Sequence, residues 1–206
     1  MKRLILLGPI LFAVVLTTLT IVQYDFMRSI GWHPINDPTF DWPSGLALGK
    51  FGFVMTATFI ISGLLMFIFA LRLKADLSRA SRQRLKPALA SQAGSAFLAG
   101  SGLALAALAF TTDPTLVGGP RTWHGILHDF SFVVLGITLL PAMWMLGKAF
   151  QDDSRWRGYG LYTWLTAAFA IPSFFLKGAA FYVFLFLILL WNEIIALRLN
   201  QMEDGD

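Results

Sequence analysis

The sequence contains no cysteine among its 206 residues. A disulfide framework, a thiolate metal site and a thiol nucleophile are therefore excluded, and the redox compartment cannot be read from cysteine usage. Any metal must be held by nitrogen and oxygen ligands. Histidine is scarce too, with three residues in the chain, so each candidate imidazole can be followed individually.

Charged residues are also few, at 14% of the chain against 56% hydrophobic residues, and the mean hydropathy is +0.65. An ordinary soluble domain has a smaller apolar share. Apolar runs close to the about 20 residues needed to cross a bilayer recur along the whole length and leave no room for a separate soluble domain. The composition predicts a membrane protein with a single domain over residues 1–206.

The apolar runs predict six membrane spans. A lone strand in lipid would leave backbone groups without partners, so each run is expected to be a helix. The first run follows Met-Lys-Arg, but its apolar stretch is longer than a signal-peptide core and no small-x-small cleavage site follows it, so we expect it to be retained. The predicted fold is an all-α, polytopic six-helix bundle with spans at about 4–23, 48–72, 87–111, 122–147, 159–176 and 178–199.

Lysine and arginine are distributed unevenly between the two sides that these spans define. Twelve lie on the side of both termini, and four lie on the other side, namely Arg28, Lys50, Arg121 and Lys177. Cytoplasmic loops carry the excess of positive charge, so both termini are predicted to be cytoplasmic in a prokaryotic cell membrane. The net charge of +4 is then a topology signal, and no nucleic-acid partner is expected.

This topology gathers the three histidines at the outer boundary. His124 and His128 lie four residues apart at the start of the fourth span, so they project from one helix face and can reach a single ion. Thr122 is expected to cap that helix, and Gly125 to allow a close approach. His33 lies in the first external connection, whose aromatic and proline-rich part is expected to fold over the bundle as a lid.

Asp113 and Asp129 are the carboxylates expected beside these histidines. A short Gly/Pro turn joins Asp113 to His124, so the two can meet at little loop-closure cost, although an Asp before Pro is also common turn chemistry. Asp129 points about 100° away from His128 on the helix. It is less suited to the same ligand set, and either orients a ligand histidine or pairs with Arg121 or Lys177.

The favoured interpretation is a zinc site formed by His124 and His128 with His33, Asp113 or both. Three protein ligands and a water form the catalytic arrangement of zinc, and a second carboxylate, Asp113 or Asp129, would take the proton of the bound water. The expected activity is hydrolysis of a lipid or amphiphile that enters from the outer leaflet into an intramembrane cavity. Two alternatives stay open: a network that only stabilises the loops, and a sensor or transporter site that binds a ligand or proton without metal.

Two further expectations concern the interior of the bundle. The third span is rich in small residues, from Ser91 to Gly102, which allow close helix approach, so it is expected at the bundle centre. Glu193 lies within the sixth span, where a carboxylate should face the interior and pair with an arginine, either Arg72 or Arg198.

Several segments resemble the bacterial and archaeal "domain of unknown function 998" membrane proteins. They are the Phe110-Thr111-Thr112-Asp113 exit of the third span, the His124-Gly125-Ile126-Leu127-His128 entry of the fourth, and the ending from Leu190-Trp191 to Leu199. The resemblance covers nearly the full chain and implies an integral membrane protein without an assigned activity. Members often begin the last helix with Glu or Gln and Arg, where this chain has Lys177-Gly178-Ala179.

The ligand types show a more distant resemblance to membrane hydrolases of the alkaline ceramidase and adiponectin-receptor type. Those proteins hold zinc with an Asp and three His, including a His-x3-His pair. This chain lacks their Ser-x3-His pairing and has six predicted spans where they have seven. The likeness is therefore an analogy of site chemistry.

Overall fold

The computed structural model describes residues 2–36, 38, 43–80, 85–114, 119–176 and 178–205, and within them it is helical without any strand. This confirms the all-α class. The α-helices are α1 (Leu7–Val22), α2 (Tyr24–Ser29), α3 (Gly52–Ala80), α4 (Leu85–Ala107), α5 (Trp123–Asp152), α6 (Tyr159–Phe175) and α7 (Ala179–Gly205). Short 3-10 helices occupy Lys2–Leu6, Pro43–Leu48 and Ser154–Trp156.

Within the described residues, five helical segments are long and apolar enough to cross a membrane, which makes the chain a multi-pass membrane protein. They are Arg3–Val22, Gly52–Arg79, Leu89–Ala107, Trp123–Asp152 and Ala179–Met202. They coincide with the first four predicted spans and the last one. The fifth predicted span forms α6, whose 17 residues correspond to about 25 Å of helix and are fewer than in any of the five.

The small residues of α4 let it pack closely against α3, while its other side meets α5. A Cβ atom placed on Gly63 of α3 would lie 2.6 Å from the Gly102 carbonyl oxygen of α4, and one placed on Gly102 would lie 2.8 Å from the Gly63 carbonyl oxygen. Only glycine permits this backbone contact. Ser101 of α4 donates to Thr138 Oγ1 of α5 at 2.9 Å. The close contact of α4 with α3 was predicted from its small residues, but its expected place at the bundle centre is wrong: among the described helices the most neighbours belong to α3, which also packs against α1 and α7.

The buried apolar side chains form two clusters along the bundle. One cluster contains Phe12, Leu16, Met55, Phe59 and Leu108 near the start of α5. The other contains Phe69, Leu73, Leu146, Phe150, Trp156 and Trp191 near the connection between α5 and α6. Both clusters contribute to the walls of one large cavity, which is described below with the site.

A polar network ties the end of α3 to the connection between α5 and α6. The Arg155 guanidinium donates to both carboxylate oxygens of Asp76 at 3.0 Å and to Asp153 Oδ2 at 2.7 Å. Trp156 Nε1 also donates to Asp76 Oδ2 at 3.3 Å. Asp153 and Asp76 raise the pKa of Arg155 above its already high usual value, so the guanidinium remains charged.

The predicted ion pair of Glu193 is wrong. Glu193 Oε2 is buried without a hydrogen-bond partner in the described part of the chain. Arg72 donates to Asn200 Oδ1 at 3.1 Å, and Arg198 donates to the Arg155 carbonyl at 2.5 Å. Both arginines lie further toward the ends of their helices, where backbone and amide oxygens bind them.

The described part of the connection after α1 and α2 packs against the start of α7. Trp32 is buried, and its ring lies 6.0 Å from that of Tyr182. The Pro34 carbonyl accepts a hydrogen bond from the Ala179 N–H at 2.9 Å. Gly178, at φ +61°, touches the Pro34 backbone, which leaves no space for a side chain. Residues 39–42 of the predicted lid, and Lys177, lie outside the described residues.

Candidate functional site

The start of α5 is held by a hydrogen-bonded cap. Thr122 is the N-cap residue, and its hydroxyl oxygen accepts from the Gly125 N–H at 3.1 Å, as predicted. The same hydroxyl donates to Asp113 Oδ1 at 2.6 Å, and the Thr122 N–H donates to Asp113 Oδ2 at 2.9 Å. The loop carboxylate therefore binds the backbone at the helix start, where the dipole of α5 favours negative charge.

Asp113 also lies directly against Gly125, because a Cβ atom on that glycine would overlap the carboxylate. Gly125 was predicted to admit another backbone or a substrate, and the group that approaches it is instead the side-chain carboxylate of Asp113. The hydroxyl and then the backbone N–H of Thr122 hold the pKa of the Asp113 carboxyl below its usual value of 3.8, and the charge of Arg121 acts in the same direction. Asp113 is thus an ionised structural acceptor, and the hydrogen bonds from Thr122 occupy both of its oxygens.

Asp129 binds Arg121, which was one of its two predicted partners. The Arg121 guanidinium forms an ion pair with Asp129, and its Nε lies 3.9 Å from Asp113 Oδ2. The side chains of Arg121 and Asp129 are about half exposed. Arg121 therefore links the two candidate catalytic carboxylates, and this bridging position was not foreseen from the sequence.

His124 and His128 face the end of α4 through the same ring atom. His124 Nδ1 lies 2.8 Å from the Thr111 carbonyl oxygen. His128 Nδ1 lies 2.7 Å from the Phe110 carbonyl oxygen and 3.0 Å from that of Leu108. A carbonyl oxygen can only accept, so Nδ1 carries the hydrogen in both rings, and Nε2 of each neutral ring remains an acceptor.

These contacts explain why two histidines lie one turn apart here. The last carbonyl groups of a helix and of the turn after it have no partner within the helix. The two imidazoles donate hydrogen bonds to these carbonyl groups and so join the end of α4 to the start of α5. His128 is 4% exposed, and its ring meets the Phe59 ring edge-on at 6.4 Å.

The predicted zinc ligands do not form one cluster. Among the described residues, no group of three or more histidine, aspartate and glutamate side chains is arranged to hold an ion. His33 Nδ1 lies 3.0 Å from Arg28 Nη1, beside a cationic group that would repel a metal ion. The Asp113 oxygens, in turn, already accept hydrogen bonds from Thr122.

A cavity of about 710 Å³ lies beside His128 within the membrane-spanning part of the bundle. Its walls are almost entirely apolar and come from α1, α3, α4, α5, α6 and α7. The polar residues that reach it are Ser44, Ser62, His128 and Asn192. Ser62 Oγ already donates to the Gly8 carbonyl at 3.1 Å. The size lies within the range of roughly 300–1,000 Å³ that is typical of small-molecule sites.

Asn192 is a polar cavity residue that sequence reasoning missed. It is 7% exposed, and its Oδ1 is buried without a hydrogen-bond partner in the described part of the chain. Buried polar groups in proteins are nearly always paired, so such a side chain requires an explanation. Its sequence signal was an amide inside the continuous apolar run of α7, directly before Glu193.

Comparison with known proteins adds a family assignment. The family model described as "Protein of unknown function (DUF998)" matches residues 6–198. No curated protein and no solved structure matches the chain. The likeness to zinc-dependent membrane hydrolases therefore remains an analogy of ligand types. Because the match spans nearly the whole sequence, this multi-pass membrane protein belongs to the DUF998 family.

Proposed function

We propose that this protein binds an amphiphile within the membrane. The apolar part of the ligand occupies the cavity beside His128, and a hydrogen-bond donor of its head group meets Nε2 of that histidine. The observation that carries the proposal is the single imidazole in a nearly apolar cavity, with Nδ1 bound by backbone carbonyls. The partner class is membrane lipids and related amphiphiles.

The chemistry of His128 supports a binding role. Its Nδ1–H is engaged by two carbonyl oxygens, which set both the tautomer and the ring orientation. Nε2 is then an oriented acceptor beside an apolar volume, where a hydrogen bond is not weakened by competing water. His124 has the same Nδ1 contact, but it does not line the cavity. The two histidines therefore form a matched pair for experiment.

We further propose that the chain crosses the membrane six times with both termini in the cytoplasm. Counting α6 as a span returns the C-terminus to the side of the N-terminus, in agreement with the twelve-to-four bias of Lys and Arg. Its 17 residues reach the lower end of the range of about 17–25 residues for spanning helices. In this orientation His128 lies in the outer part of a prokaryotic cell membrane.

Zinc-dependent hydrolysis of the bound amphiphile remains a second, separate hypothesis. Its distinguishing requirement is stoichiometric zinc in protein purified without a chelator and without a histidine tag. It also requires that His124→Ala and His128→Ala each remove that zinc. Elemental analysis of the wild type and both variants tests it independently of ligand binding.

The binding proposal is tested with two ligands that share one acyl chain. Monoolein carries hydroxyl donors, and methyl oleate carries none. The wild type in nanodiscs is expected to bind monoolein about fivefold more tightly than methyl oleate, which corresponds to about 1 kcal/mol for one hydrogen bond. Native mass spectrometry or competition with a fluorescent fatty acid measures the ratio.

The variants His128→Asn and His124→Asn separate binding from structure. An asparagine amide keeps a donor near the position of Nδ1 and removes the ring acceptor at Nε2. His128→Asn is expected to abolish the preference for monoolein, and His124→Asn to retain it. An unchanged preference in His128→Asn would contradict the proposal. Release of oleate from monoolein, dependent on zinc, would favour the hydrolase.

A further inference from the structure

We infer that the ligand is a bilayer lipid and that its acyl chain enters the cavity sideways, through a mouth between α5 and α6. This inference rests on the proposed function, because it names the source of the amphiphile and its route. It depends on where the cavity walls are exposed and on how the two helices contact each other.

Among the residues that the structure describes, the exposed ones of the cavity wall come from α5 and α6. They are Val133, Gly136, Ile137, Leu140, Ile171 and Phe175. Wall residues of α1 and α3, in contrast, are buried, including Phe12, Met55 and Phe59. A residue that both lines the cavity and lies on the outer surface marks the rim of an opening. The rim therefore runs along these two helices.

The contact between α5 and α6 is tight at the opposite end of the pair. A Cβ atom on Gly147 would overlap the Trp164 ring, and one on Gly160 would lie 2.6 Å from the Gly147 carbonyl oxygen. Trp164 Nε1 donates to the Trp144 carbonyl at 3.2 Å. The two helices are thus held together next to their connection, and the cavity opens further along them.

The depth of the mouth identifies what can enter. Gly136 lies 13 residues after Trp123, the first residue of α5, and this places it about 20 Å along a helix of about 45 Å. The opening therefore faces the hydrocarbon region, where acyl chains are the molecules present. The rim carries only apolar side chains and a glycine, with no donor or acceptor that would hold a polar solute.

Gly136 offers a direct way to close the mouth. No heavy atom lies within 4 Å of a Cβ atom built on this residue. The variant Gly136→Trp therefore introduces a large ring into the opening without a clash at its first atom. Ile126→Trp is the matched control, because Ile126 is 55% exposed on the same helix and does not line the cavity.

The experiment uses a phosphatidylglycerol, whose head group carries hydroxyl donors, with a diazirine at the end of one acyl chain, incorporated into nanodiscs with the full-length protein. After irradiation, peptide mass spectrometry reads labelling of Met55 and Phe59, which are 0% and 3% exposed, and of Phe130, which is 64% exposed on α5. The wild type is expected to be labelled at both kinds of position. Gly136→Trp is expected to reduce labelling of the buried pair about tenfold and leave Phe130 unchanged.

A reversible closure provides a second measurement. Gly136→Cys creates the only cysteine in the chain, and a benzyl methanethiosulfonate adduct on it blocks the mouth until a reductant removes the adduct. Labelling of Met55 and Phe59 should fall on modification and recover on reduction. Labelling of the buried pair that is insensitive to both closures, or wild-type labelling confined to Phe130, would overturn the inference.

The two failures are distinguishable. If the monoolein preference depends on His128 but neither closure at Gly136 lowers the labelling of Met55 and Phe59, the binding proposal stands and the lateral route is wrong. If the closures block labelling but His128→Asn keeps the preference, the route stands and the role of Nε2 is wrong.

Discussion

At the residue scale, His124 and His128 use the same ring nitrogen for a structural contact. Nδ1 of His124 and of His128 donates to a backbone carbonyl at the exit of α4. This structural use does not exclude a ligand at Nε2, because a hydrogen on Nδ1 leaves the Nε2 lone pair of the neutral ring available as an acceptor. Histidines that bind metal ions commonly donate their other ring N–H in the same way, and this contact sets the orientation of the ring.

The lowered pKa of the Asp113 carboxyl predicts how stability changes with pH. A carboxyl group with a lowered pKa contributes stability that is present above its usual pKa of 3.8 and is lost as the pH falls through the lower folded value. Below pH 4, the wild type is therefore expected to lose thermal stability relative to Asp113→Asn. Above pH 5, Asp113→Asn should be the less stable protein.

Intrinsic tryptophan fluorescence follows the melting temperature, because the chain has seven tryptophans. Asp152→Asn is the control, since Asp152 forms an exposed ion pair with Lys148 four residues away, and such pairs contribute little. Parallel curves of the wild type and Asp113→Asn across this pH range would contradict the assignment of Asp113 as the acceptor for Thr122.

At the element scale, polar side chains join helix ends, both between consecutive helices and between helices that are distant in sequence. The exit of α4 meets the start of α5 through Asp113, His124 and His128. At the other end of the bundle, Arg155 in the connection between α5 and α6 joins Asp76 at the end of α3. Both arrangements use the polar backbone and carboxylate groups that helix ends leave available.

The Arg155 network predicts a graded loss of stability. Arg155→Ala leaves the Asp76 carboxylate, which is 9% exposed, without its charged donor, and should lower the free energy of unfolding by about 1–3 kcal/mol. Arg155→Lys keeps the charge but loses the bidentate contact with Asp76, so its free energy of unfolding should lie between those of Arg155→Ala and the wild type.

Thermal unfolding in a mild detergent measures the series. Arg157→Ala is the matched control, because Arg157 is an exposed arginine in the same connection. Equal melting temperatures of Arg155→Ala and Arg157→Ala would show that the contact with Asp76 does not stabilise the bundle.

At the scale of the whole molecule, the number of crossings determines where every loop lies. Because the chain has no native cysteine, single cysteines report on topology without background. Gly119→Cys should react with a membrane-impermeant maleimide on intact cells, whereas Ser154→Cys and Gln201→Cys should react only after permeabilisation. All three positions are exposed in the structure.

Gln201→Cys tests α6 specifically. If α6 did not cross the membrane, the C-terminal end of α7 would lie outside, and Gln201→Cys would react on intact cells. Reaction of Gly119→Cys only after permeabilisation would instead reverse the proposed orientation. The labelling is read as a mass shift on a denaturing gel.

Much of the architecture could be predicted because it depends on local and additive properties. Apolar runs determine helices in a bilayer, since each backbone group needs a partner within its own segment. The Thr122 cap was also predictable, because a cap depends on residues that are close in sequence. The Arg121–Asp129 pair belongs to the same class of neighbouring residues.

Only the tertiary structure decided how the three imidazoles are used and where the cavity lies. Sequence spacing brings His124 and His128 to one helix face, but their ring orientation depends on carbonyl groups at the end of α4, and the contact of His33 depends on Arg28. The partner of Glu193 was likewise mispredicted, because the reach of Arg72 and Arg198 depends on how α3 and α7 align. The cavity is lined by residues of α1, α3, α4, α5, α6 and α7, so it depends on how six helices pack together and has no signature in any one of them.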